Sequence, residues 1–106
     1  MKIKELRILE LASVLAGPTV GSFFAELGAH VTKVENPILG GDLTRKWKQS
    51  NENKESTISA YYAAANTGKK IKYLNFQDKK DRLALDSEIK ACDIIVVNFK
   101  PGDALK

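Results

Sequence analysis

The sequence predicts an α/β fold: a Rossmann-like, largely parallel sheet with flanking helices. Three observations carry that reading. Short apolar runs alternate with helical patterns in the order βα-β-α-β-α-β, the pattern of layered α/β domains. The first unit, LRILELASVLAGPTVGSFFAELGAHVTKVEN, reads as strand, sharp turn, helix, strand, and crossovers of that kind join parallel strands. The final run, DIIVVN, is strongly β-branched, as strands favour.

Taken in order, residues 6–11 form a strand whose density of apolar residues (Leu6, Ile8, Leu9, Leu11) suits burial on both faces. Gly17 and Pro18 open a helix, with proline at the first helical position, where its missing N–H costs nothing. Val20, Phe23, Phe24 and Leu27 give that helix one apolar stripe, and Gly28 closes it. Residues 30–35 form a second strand. Residues 36–57 are polar and read as a long loop, with Trp47 as an anchor or a cover for the ligand cleft. A helix over 58–66 precedes Gly68, and a third strand follows at 70–76. Asp78 caps a helix that runs to about Ala91, with Asp81 in its first turn and Leu85, Ile89 and Cys92 as its stripe. Residues 93–98 are the fourth strand. Lys72 on a parallel strand requires either a place near the sheet edge or a side chain that reaches solvent.

At 106 residues the chain is one domain, residues 1–106. Its 43% hydrophobic and 28% charged content is that of a globular protein. No apolar run reaches the ~18 residues a membrane span needs, and the N-terminus lacks the pattern of a signal peptide. The single cysteine cannot form an internal disulfide, and the expected location is the cytoplasm. The net charge of +4 is spread along the chain, without the basic face and interleaved aromatics that nucleic acid requires. His30 has no partner at metal-site spacing and reads as a surface residue; Cys92 reads as a buried thiol.

In such sheets, ligands sit beyond the carboxyl ends of the strands, here residues 12–18, 35–37, 76–78 and 98–102. A dinucleotide fingerprint, G-x-G-x-x-G, fits in neither register. With Gly21 last, the earlier positions are Ala16 and Pro18; with Gly17 in the middle, they are Leu15 and Val20. An anion site needs fewer glycines. The turn at 15–17 brings backbone N–H groups and a helix N-terminus to the strand ends, although Ala-Gly-Pro also serves simply as a tight turn. Lys69 and Lys70 read as phosphate contacts or as solvated lysines, and Tyr61 and Tyr62 as helix packing.

Four stretches in order, LASVLAGPTVGSFFAELGAHVTKVENP, GGDLTRKW, SAYYAAANTGKK and ACDIIVVNFKPG, resemble the class III coenzyme A transferases. That family includes formyl-CoA transferase, the carnitine and bile-acid CoA-transferases and α-methylacyl-CoA racemase. The resemblance implies a Rossmann-like domain that binds a CoA thioester. In the family, a catalytic aspartate attacks the thioester carbonyl to form a mixed anhydride. The CoA thiolate then makes an aspartyl thioester, which an acceptor carboxylate resolves. The implied partners are acyl-CoA and carboxylic acids, with no metal, and members form interlocked homodimers of several hundred residues. The aspartate lies beyond the NFKPG segment, so these residues are expected to be an N-terminal fragment without the nucleophile, and Asp42 is read as a turn former. The implied CoA-binding residues are Val14, Leu15 and Ala16; Asn36, where a basic residue is usual; Leu74, Asn75, Phe76 and Gln77, with Asn75 replacing an aspartate; Asn98 and Phe99; and Lys106, which replaces arginine and loses its bidentate fork. A same-family racemase and a non-catalytic nucleotide-binding module remain alternatives.

Overall fold

The computed structural model describes residues 2–98. Its strands are β1 (Arg7–Leu11), β2 (His30–Glu35), β3 (Lys70–Tyr73) and β4 (Ile94–Val97). Its helices are α1 (Ala16–Glu26), α2 (Ala60–Asn66) and α3 (Lys79–Ala91). The strands make one all-parallel sheet in the order β3-β2-β1-β4. The chain steps outward from β1 through β2 to β3, then crosses back to lay β4 on the other side of β1. Successive β1 side chains serve opposite layers. Ile8 packs with Ala29, Val31 and Phe24 of α1, whereas Leu9 packs with Val34, Leu74 and Leu85 of α3. Among the described residues, no helix is long and apolar enough to cross a membrane.

Helix α1 departs from its expected stripe. It begins at Ala16, which puts Pro18 third, and it turns Gly17, Pro18 and Gly21 to the protein interior. Val20, Phe23 and Leu27 are exposed, and of the four stripe residues only Phe24 packs on the core. The cause is close approach. A Cβ at Gly17 would lie 2.3 Å from the Ala12 Cβ, and one at Gly21 would lie 2.0 Å from Glu10 Oε1. The glycines let the helix backbone itself rest on the sheet.

The third strand is shorter than expected and stops at Tyr73. The Asn75 N–H donates to Asp81 Oδ2 at 2.8 Å, and Asn75 Oδ1 accepts from the Gln77 N–H at 3.0 Å. These side-chain acceptors turn the backbone away from the ladder. β3 is an edge strand, and Lys72 on it pairs with Glu88 of α3, which meets the condition its position set. Cys92 is half-buried at the end of α3, not the buried thiol expected, and Ile89 is exposed. His30 lies on the surface. In the long connection, Trp47 meets Tyr61 edge-on at 5.2 Å, as an anchor would.

Candidate coenzyme site at the carboxyl ends of the strands

All four strands are parallel, so their carboxyl ends share one rim of the sheet. The strand order reverses between β1 and β4, the place where such sheets open a crevice. The two strand ends there are tied together. Asn98, directly after β4, accepts the Ser13 N–H at 3.2 Å and donates from Nδ2 to the Ser13 carbonyl at 2.7 Å. One residue on, Val14 takes the left-handed conformation (φ 70°), which is strained for a β-branched residue. Leu15 and Ala16 follow, exposed, and start α1. The first-turn N–H groups of a helix have no intrahelical acceptor and carry its positive dipole end, so this rim suits an anion.

Val14, Leu15, Ala16 and Asn98 are thus brought together. Asn36 stands at the end of β2, where its side chain accepts the Ile38 N–H at 2.9 Å and caps the turn Pro37–Leu39. Beyond β3, Leu74 is buried in the core under α3, Phe76 packs beside it, and Asn75 and Gln77 form the turn into α3. Phe99 and Lys106 lie outside the described residues.

Beneath the rim runs a buried chain of charges. Lys33 Nζ lies 2.9 Å from Glu10 Oε2 and 2.9 Å from Asp42 Oδ2, and all three side chains are fully enclosed. Lys69 Nζ lies 2.7 Å from Glu10 Oε1, also enclosed. Lys69 is therefore neither a solvated lysine nor free to hold phosphate. The Asp42 N–H donates to Glu35 Oε1 at 2.6 Å, and Glu35 takes a bidentate grip from Arg45, through Nε at 2.7 Å and Nη2 at 2.9 Å. The Tyr62 hydroxyl donates to Glu35 Oε2 at 2.5 Å while Arg45 stacks 4.0 Å above its ring. Asp42 does form a turn, as expected, by accepting the Thr44 N–H at the start of Leu43–Lys46; it is also a buried ion.

The surroundings set the charges. Burial alone would raise the Glu35 pKa, but hydrogen bonds from Arg45, Tyr62 and the Asp42 amide outweigh it and hold the carboxyl below its ordinary range. For Asp42, burial is likewise outweighed, by Thr44 and Lys33. Burial lowers the Lys69 ammonium, with Glu10 opposing, and raises the Tyr62 hydroxyl with help from Glu35. A signal for this network was present in the sequence: Glu10 and Lys33 stand inside strands that must be buried, and a buried charge needs a partner.

Residues 3–106 match the CoA-transferase family III. The chain belongs to this family. The family III chain is 40% identical over 102 residues to an acyl-CoA transferase of Fusarium pseudograminearum, covering 92% of this chain and 22% of that one. It is 39% identical to the succinyl-CoA:mesaconate CoA-transferase of Haloarcula marismortui, covering 94% of this chain and 25% of that one. A crystal structure of a CAIB/BAIF family protein from Brucella suis superposes with a TM-score of 0.81 at 35% identity, over 94% of this chain and 26% of that one. The family III chain thus spans about a quarter of the length of the relatives it matches.

Proposed function

We propose that residues 1–106 form the coenzyme-A-holding N-terminal portion of a class III CoA-transferase, whose whole chain moves CoA between carboxylic acids. The observation that carries this reading is the reversal of strand order between β1 and β4, where the Ser13–Asn98 pair sets the N-terminus of α1 beside the strand ends. The coenzyme is an anion, and its diphosphate suits the first-turn N–H groups at Leu15 and Ala16. Family membership supports the choice of CoA over other nucleotides.

In this reading the chain here binds and orients. The carboxylate that attacks the thioester carbonyl is an aspartate beyond position 106. The displaced thiolate re-attacks the resulting anhydride, and the aspartyl thioester then passes CoA to an acceptor acid. Acyl-CoA and free carboxylic acids are the substrates, an interlocked homodimer is the working assembly, and the cytoplasm is its location.

Calorimetric titration with CoA, with NAD as control, tests the reading. CoA binding that Asn98→Ala weakens, with no response to NAD, is the expected result. Failure to bind CoA, or binding of NAD in its place, overturns it.

A further inference from the structure

The rim segment from Ala12 to Pro18 is held at three backbone points, each by a member of one buried set of charges. Lys33 Nζ donates to the Ala12 carbonyl at 2.7 Å. The Asp42 carboxylate accepts the Val14 N–H, at 3.3 Å from each oxygen. Lys69 Nζ donates to the Pro18 carbonyl at 2.8 Å. Glu10 joins the two lysines beneath, with its carboxylate against Gly21 of α1. The four charges sum to zero, so the set is neutral as a unit while each member is enclosed. Neutral hydrogen-bonding groups would satisfy the same backbone atoms one at a time. Linked ions fix all three at once, because moving one exposes another to an unpaired charge.

We infer that this quartet positions the coenzyme-binding loop, with Asp42 the positioning residue that holds Val14 in its left-handed conformation. The inference rests on the coenzyme reading above only for the identity of the ligand. Four donors converge on the Asp42 carboxylate: the Val14 N–H, the Thr44 N–H, the Thr44 hydroxyl at 2.8 Å and the Lys33 ammonium. An asparagine of the same shape offers one oxygen and turns its own N–H groups on the remaining donors. Val14 then loses its acceptor and relaxes toward extended backbone, taking the N–H groups of Leu15 and Ala16 with it.

The test is Asp42→Asn, read by CoA titration and by hydrogen exchange at the Val14 amide. The expected result is a CoA affinity lower by about tenfold and faster exchange at Val14, with the Leu9 and Val34 amides still protected. Val14→Gly in the Asp42→Asn background is the decisive rescue, since glycine adopts positive φ without strain. It should recover several-fold of the lost affinity, which repair of a purely structural defect would not do. Thr44→Val removes one orienting donor and no charge; it should weaken CoA two- to threefold, and it replaces Asp42→Asn should that variant fail to fold. If the unaltered chain binds no CoA, the coenzyme reading fails, yet faster Val14 exchange still supports the positioning role. Unchanged Val14 exchange, or unchanged CoA affinity in a chain that binds CoA, overturns it.

Discussion

The two faces of the sheet use the same strands to different ends. Under α3, Leu9, Val34 and Leu74 form an apolar cluster, covered by a helix none of whose own residues is buried. Under α1 and α2, the amino half of the sheet is apolar through Ile8, Ala29 and Val31, but toward the carboxyl rim the side chains become Glu10, Lys33 and Glu35. Apolar contact is non-directional, and it buries area without fixing any one atom. Ion pairs and hydrogen bonds have defined geometry, and here they end on backbone atoms of residues 12–18 at the rim. One face supplies cohesion; the other converts part of its burial into placement.

The difference breaks most sharply at Glu35. Glu35→Gln leaves the buried Arg45 guanidinium without its counter-charge and should destabilise the fold by about 3 kcal/mol in denaturant titration. The same groups shape the acid limb. The folded pKa values of Glu35 and Asp42 lie below their ordinary 4.5 and 3.8, so their contribution is complete above those values and is lost as pH falls through the depressed ones. The thermal midpoint should hold from neutrality to about pH 5 and fall below about pH 4, less steeply in Glu35→Gln. On the other face, Leu9→Ala should cost about 2–3 kcal/mol while leaving the CoA affinity of the folded chain unchanged. Equal losses of affinity from Leu9→Ala and Asp42→Asn would erase the distinction between the faces. Asn98→Ala removes two exposed hydrogen bonds and should cost about 1 kcal/mol of stability but several-fold in CoA affinity. Leu83→Ala, on the exposed side of α3, should change stability by less than about 0.5 kcal/mol.

The strands and helices were legible because local pattern decides them: the β-branched run at 94–97, the Asp78 cap and the glycine at 28 all act over a few residues. The face of α1 was not legible. Its apolar spacing points to Phe23 and Leu27, yet the contact runs through Gly17, Pro18 and Gly21, where small size outweighs apolar area. Val14 and Asn98 were named through a family resemblance, and the structure bonds Asn98 to Ser13, the residue before Val14. The pairing of Glu10, Lys33, Asp42 and Lys69 was not legible because it is tertiary: the four come from separate segments, and the local turn at Asp42 says nothing of its buried lysine partner.

That spacing has a consequence in time. The grip on Pro18 comes from Lys69, 51 residues downstream, in the turn between α2 and β3. The strand–helix–strand unit of residues 7–35 can therefore form early from nearby contacts, but its loop at residues 12–18 cannot take final shape until the chain through Lys69 has docked. As the protein leaves the ribosome or refolds from denaturant, the competence of the site should trail the appearance of its secondary structure.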